Sequence, residues 1–254
     1  MFWLKKYKRK RIAERPFPDT WENILQTDAA IYNILNDEDK AELQGHISIF
    51  LAEKYFEPCR GFVITERVKV IIAAYACVLL LHRQTDYYPG LYSILVYPDA
   101  FITNHKEYLD GGLIAEGPEV LSGQSSHRGT VVLSWDDVEY DRLNINDGRN
   151  VIYHEFAHQI DTSGGKGDSS IVLKNNANFA AWAKILYKNY MKLRDDAEFD
   201  APSLLDKYGA TDPSEFFAVV TEFFFEKPIE LYDDNPQLYN ELMRFYNEDP
   251  IIFV

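Results

Sequence analysis

His154, Glu155 and His158 carry the most pointed chemistry in this 254-residue chain. Two histidines four residues apart on a helix project from one face, and two imidazoles so placed can bind one zinc ion. Glu155 follows the first histidine and points to the side of the pair. From there it can reach a water on the metal without taking a coordination position. Zinc lowers the pKa of a bound water towards about 7. Glu155 can then act as general base and pass the proton to a leaving amine, which equips the chain for peptide-bond hydrolysis. A shuffled chain of this composition would produce the His-Glu-x-x-His pattern roughly once in a hundred cases, so the surroundings decide. The plain alternative is an exposed helix with His–Glu ion pairs, but Val151, Ile152, Phe156, Ala157 and Ile160 supply an apolar face that buries this one.

A catalytic zinc site has three protein ligands and one open position. His46, His82, His105 and His127 stand singly and read as surface or core histidines, His127 least easily because it sits in a Gly-bracketed loop before a strand. Glu215 is the better third candidate. Its helix carries Phe216, Phe217, Val219, Val220, Phe223 and Phe224 and must be buried. Glu215 and Glu222 share a face of that helix, and two carboxylates there are costly unless a cation or donors neutralise them. The alternative is that both reach solvent or pair with Lys and Arg.

The elements that must position these groups are legible in outline. Helices are expected over Thr20 to Leu35, Asp37 to Phe56 (ended by Pro58) and Glu66 to His82 (capped by Thr65). Strands are expected at Tyr92–Tyr97 and Gly129–Ser134, with hairpins or loops among the glycines between them. Helices follow from Asp147 to Thr162 (capped by Asn146 or Asp147 and stopped by Gly164–Gly165) and from Asn175 to Leu193. Two more run from Asp212 to Glu226, with Asp212 as cap and Pro213 first, and from Gln237 to Asn247. Helices around a small mixed sheet make an α+β fold. After a basic tail over 1–15, residues 16–254 read as a single domain, helical to about 85 and catalytic from about 90.

A net charge of −14 excludes a general nucleic-acid binder. The basic exception, Lys5 to Arg11, reads as a solvated terminus, or else as a weak contact with anionic lipid or an acidic partner. No apolar run follows those charges as a secretory leader requires. The longest apolar run, Val70 to Leu81, is too short to cross a bilayer and reads as a buried helix. Two cysteines imply no disulfide framework, so a cytoplasmic location is expected.

Together these segments resemble the Mlc titration factor A family of zinc peptidases of the gluzincin type, and more distantly the catalytic domain of anthrax lethal factor. The resemblance rests on His154-Glu-Phe-Ala-His158-Gln-Ile-Asp161 and on Tyr208-Gly-Ala-Thr-Asp-Pro-Ser-Glu215-Phe-Phe-Ala218. Looser support comes from Tyr97-Pro98, Leu121-Ser-Gly123 and Val131 to Trp135. It implies a zincin-like fold and one zinc ion per chain held by His154, His158 and Glu215. It also implies a tyrosine near the metal at Tyr208, able to donate to an oxyanion, and supporting groups at Asp161 and Glu222 that orient the ligands. Tyr208 otherwise reads as a packed aromatic beside a Gly turn, and Asp161 and Glu222 as ordinary polar residues near helix ends. An aminopeptidase-like activity on peptides or flexible segments is implied, as is binding of a sugar-responsive transcriptional repressor. Two functions therefore compete: a zinc peptidase, and a regulator-sequestering protein in which the zinc site is secondary. Glu155 favours the first, because a purely structural site has no use for a base. The strand Gly129–Ser134 is a candidate edge for an extended substrate, or else an ordinary core strand. The residues from Gly111 to Gly129 are a candidate cover over the site.

Overall fold

The computed structural model describes residues 2–83, 86–109, 113–121, 123–126, 129–163 and 176–253; of residues 2, 162–163, 176–179 and what it describes within 101–126, only the backbone is described. The framework is a four-stranded mixed sheet with strand order β1-β2-β6-β5. Its members are β1 (Tyr55–Pro58), β2 (Ser93–Tyr97), β5 (Gly123–Ser126) and β6 (Thr130–Ser134), and β3 (Phe101–Leu109) pairs with β4 (Leu113–Leu121) as a separate antiparallel hairpin. β1, β2 and β6 run parallel, with Ile94 opposite Val131, while β5 closes antiparallel on β6. β6 is therefore an interior strand, and the edge beside it is β5. The reading of Gly129–Ser134 as an edge is corrected accordingly. Ile94, Val96, Val131 and Leu133 alternate inward and are fully buried, as a half-covered sheet requires.

Helices pack around this sheet, giving the α+β class that the pattern implied. α1 (Phe2–Ala13), α2 (Asp19–Asp28), α3 (Ala30–Ile34), α4 (Asp37–Glu53) and α5 (Glu66–Val78) form the first half. α5 is the central helix: Thr65 caps it by accepting from the Val68 N–H, and every residue from Val70 to Leu81 is buried. It packs against α2, α4 and α7 (Val151–Ser163). Among the described residues no helix is long and apolar enough to cross a membrane.

Several expected boundaries move; α5 ends at Val78 rather than His82, and the helix expected to Leu193 runs on to Glu198. The Thr20–Leu35 helix breaks at Ala29, which turns extended (φ −124°) so that Leu25, Ala29, Tyr32 and Leu35 can all be buried. The second helix stops at Glu53 rather than Phe56. Lys54 donates to the carbonyls of Tyr88 (3.0 Å) and Leu91 (2.8 Å), and the chain then pairs with β2 as β1. The basic first residues are helical rather than frayed. Arg9 forms a two-pronged ion pair with Glu53 (2.8 and 2.7 Å) and lies 4.6 Å over the Tyr87 ring. Its acidic partner is within the same chain.

The second half is helical: α6 (Trp135–Leu143), α7, α8 (Asn176–Glu198), α9 (Pro213–Glu226), α10 (Pro228–Asp234) and α11 (Pro236–Tyr246). α7 begins at Val151, four residues later than the pattern indicated. Asn150, not Asn146 or Asp147, is the cap, accepting from the Tyr153 N–H at 3.2 Å. Residues 144–150 are turns, with Asn146 at φ 65° and Gly148 at φ 92°. A Cβ on Gly148 would lie 2.5 Å from the Phe223 ring, so this turn is pressed onto α9. Gly164 and Gly165 lie outside the described residues, and so does most of the expected cover between Gly111 and Gly129, apart from the backbone of β4 and β5.

Candidate metal centre

α7 and α9 meet face to face because both are apolar on the facing side. Phe156 and Ala157 of α7, with Phe216, Val220 and Phe224 of α9, are at most 1% exposed. Asp212 caps α9 by accepting from the N–H groups of Ser214 (2.7 Å) and Glu215 (3.0 Å), and Pro213 takes the first helical position. That cap sets Ser214 and Glu215 on the first turn, over the histidine face of α7.

The structure brings His154, His158 and Glu215 together. His154 Nε2 lies 3.0 Å from Glu215 Oε2, His158 Nε2 lies 3.4 Å from the same oxygen, and the two Nε2 atoms are 3.2 Å apart. A tetrahedral ion with bonds of about 2.0 Å holds its ligands about 3.3 Å apart, so the triangle has the size of one face of such a site. The proton inventory points the same way. His154 Nδ1 is 2.7 Å from Glu222 Oε1, an acceptor, so its proton sits on Nδ1. His158 Nδ1 is 3.0 Å from Ser214 Oγ, whose own proton goes to Asp161 Oδ2 at 3.1 Å. Both Nε2 atoms face one carboxylate oxygen of Glu215, which without a cation accepts hydrogen bonds from them. A divalent cation satisfies all three atoms at once. The three side chains are 12–18% exposed, open enough for exchange with solvent.

Glu155 is 4% exposed, and its Oε2 has no hydrogen-bond partner among the described residues. Burial is the main cause that lifts its carboxyl to about 7, against the opposing pull of His154 and His158. Glu215 has the opposite balance: burial raises it, but hydrogen bonds from both histidines outweigh that and hold it at about 2. Tyr208, in the 3-10 turn Lys207–Ala210 before α9, is 45% exposed with its ring centroid 6.0 Å from that of His154.

The sequence-derived positions divide as follows. Glu222 contacts His154 directly, and Asp161 reaches His158 through Ser214. Ser214 was not foreseen, since a serine early in a helix looks like an ordinary N-terminal residue. A second unforeseen feature is the set of carboxylates around the start of α7. Glu222 Oε2 accepts from Asn150 N–H (2.7 Å), Asp141 from Val151 N–H (2.7 Å), and Glu226 from Asn146 N–H (2.8 Å) and Asn150 Nδ2 (3.1 Å). Anionic acceptors on the free N–H groups of a helix start stabilise it and fix its direction. Burial pushes Asp141 and Glu226 up to about 7 each, against those hydrogen bonds.

Helices around a small mixed sheet, with two imidazoles of one helix set against a carboxylate of the next, form a candidate divalent-metal centre. The chain belongs to the family described as Glucose-regulated metallo-peptidase M90, whose profile matches residues 4–247. It is 39% identical over 251 residues to an uncharacterized protein of Synechocystis sp., covering 98% of this chain and 91% of that one. It is 33% identical over 229 residues to Mlc titration factor A of Serratia proteamaculans (88% and 87% covered) and 30% identical over 220 residues to Mlc titration factor A of Yersinia enterocolitica (85% and 81%).

Proposed function

We propose that this chain is a zinc-dependent peptidase whose metal is held by His154, His158 and Glu215 and whose general base is Glu155. The observation that carries the reading is the convergence of two imidazole nitrogens and a carboxylate oxygen at 3.0–3.4 Å beside a buried carboxyl group whose Oε2 has no hydrogen-bond partner among the described residues. Zinc, when bound there, supplies a Lewis acid that acidifies water towards a pKa of about 7 and polarises a peptide carbonyl. The chain's own groups do the rest. Glu222 and the Ser214–Asp161 pair hold the protons of His154 and His158 on Nδ1, which keeps both Nε2 atoms available. Glu155 takes a proton from the attacking water and returns it to the departing amine; a carboxyl lifted by burial is better matched to that task near neutral pH. Tyr208 donates its phenol proton as a hydrogen bond to the developing oxyanion. Peptides or flexible segments are the substrates, with aminopeptidase-like trimming as the finer expectation. Cys59 and Cys77 are free thiols, in keeping with action in a reducing compartment such as the cytoplasm.

A second reading takes its support from relatives named Mlc titration factor A: this chain binds a transcriptional repressor, on a surface separate from the metal centre. Glu155, with its Oε2 free of hydrogen bonds among the described residues, favours catalysis, since a binding protein has no need of it. The test is zinc analysis of wild type and Glu155→Ala together with a peptide-hydrolysis assay on both. Equal zinc in the two with hydrolysis only in wild type is expected. Equal hydrolysis in the two overturns the mechanism.

A further inference from the structure

The outward face of α1 is chemically unlike the rest of this acidic chain. One side of the helix is spent on the fold: Ile12 is buried, Arg9 pairs with Glu53 and Asp86, and Lys5 donates to Asp86 at 2.9 Å. The opposite side carries Trp3, Leu4 and Tyr7, which are 73%, 65% and 52% exposed, and then the exposed Lys10 and Arg11. Positions 3, 7, 10 and 11 recur at helical spacing and share one face. The Trp3 and Tyr7 rings stack on it with centroids 5.9 Å apart. Lys6 and Lys8 flank this face. Among the described residues Lys6, Lys8 and Arg11 have no acidic partner, and Lys10 approaches Glu14 only to 3.7 Å.

Three large apolar side chains held together in water mark a surface that gains by being covered. Whatever covers this one must also accept a cluster of cations, set apart on a chain of net charge −14. It must therefore be densely anionic. Two features favour the surface of a bilayer over an acidic protein. Trp and Tyr join an apolar ring to a polar edge and settle where acyl chains meet headgroups. The free cations on and beside the face are mostly lysines, Lys6, Lys8 and Lys10. Protein interfaces are depleted in lysine, whereas an apolar stem with a mobile charge at its tip suits a layer of lipid phosphates.

We propose that α1 is an interfacial anchor for a membrane rich in anionic phospholipid. Trp3, Leu4 and Tyr7 enter the boundary between headgroups and acyl chains, and the lysines with Arg11 meet the phosphates. The anchor is preformed: the Arg9 ion pairs and the burial of Ile12 hold the helix against the body of the protein before contact, so little ordering is left to be done on binding. One short helix with a few basic residues gives peripheral, reversible attachment rather than insertion. The anchor makes no use of the metal centre, and its presence is independent of the peptidase reading.

The test is sedimentation of the intact chain with vesicles of phosphatidylcholine alone, and of phosphatidylcholine with about one-third phosphatidylglycerol, at low and high salt. Binding to the anionic vesicles alone, weakened by salt, is expected. Lys10→Gln/Arg11→Gln lowers the partition coefficient by about tenfold or more. Trp3→Ala/Tyr7→Ala lowers it by about tenfold or more with no change of charge. Should either double variant lower the melting temperature, Lys8→Gln or Leu4→Gln, at other positions of the same surface, is read in its place. No binding to the anionic vesicles, or binding that loss of the aromatic rings leaves unchanged, overturns the assignment. If binding is absent and wild type instead forms a salt-sensitive dimer that Lys10→Gln/Arg11→Gln dissolves, the face belongs to the acidic surface of a second copy of this chain.

Discussion

Glu222 offers the sharpest test of how the metal centre is held, because it accepts two hydrogen bonds with its two oxygens. One comes from His154 Nδ1 and the other from Asn150 N–H, both at 2.7 Å. Glu222→Gln keeps the shape but leaves one acceptor. In one orientation its NH2 group faces Asn150 N–H and the start of α7 loses a partner. In the other it faces His154 Nδ1, forcing that ring to carry its proton on Nε2, where the metal must bind. Loss of such a supporting hydrogen bond weakens metal binding by about 10–100-fold, or about 1.4–2.7 kcal/mol. The unmatched donor costs about 1–3 kcal/mol of stability in the metal-free protein as well. Zinc dissociation constants by competition with a chelating dye measure the first effect. Thermal unfolding after chelation measures the second. A dissociation constant within twofold of the parent, with an unchanged melting temperature, refutes the reasoning.

Other perturbations separate chemistry from scaffold. Tyr208→Phe should retain zinc while peptide hydrolysis falls by about 10–1,000-fold, the range for removal of one oxyanion donor; unchanged turnover would remove Tyr208 from the mechanism. Gly148→Ala forces a methyl against the Phe223 ring (2.5 Å) at φ 92° and should cost about 1–3 kcal/mol, read by urea denaturation. Asp141 concerns pH. Burial raises its folded-state pKa to about 7, above the unfolded value of about 3.9, so its contribution to stability is full below the unfolded value and is lost as pH rises through 7. Asp141→Asn, which keeps an oxygen for Val151 N–H, should therefore gain about 1–3 kcal/mol relative to wild type between pH 5 and pH 8. Parallel stability–pH curves for the two proteins would contradict this.

Local chemistry explains what the chain announces about itself and what it conceals. α9 was readable to the residue because Asp212 and Pro213 are strong start signals whose partners lie within one turn. α5 was readable at its start for the same reason, through Thr65. β1 was concealed because Tyr55 and Phe56 continue the apolar pattern of α4, and only the distant strand Ser93–Tyr97 draws them into a sheet. The start of α7 was misplaced because Asn146 and Asp147 resemble caps; Gly148 bends the chain between them and Asn150, where the helix starts. At the metal centre the histidine pair is a local motif. The closeness of Glu215, 61 residues from His154, depends on two helices packing, and the sequence gives this only through apolar faces and family likeness.

Because Glu215 and Glu222 ride on one helix while the imidazoles ride on another, whatever seats α9 would also govern metal retention at the proposed centre. Trp182, stacked on Phe245 at 4.6 Å and edge-on to Phe217 at 6.1 Å, does so from well outside the centre. A survey of inactive variants would thus gather remote packing residues together with those that touch substrate, and loss of turnover could not tell them apart. Metal content sorts the two groups: a damaged seat sheds the ion, whereas a damaged chemical group keeps it and falls silent.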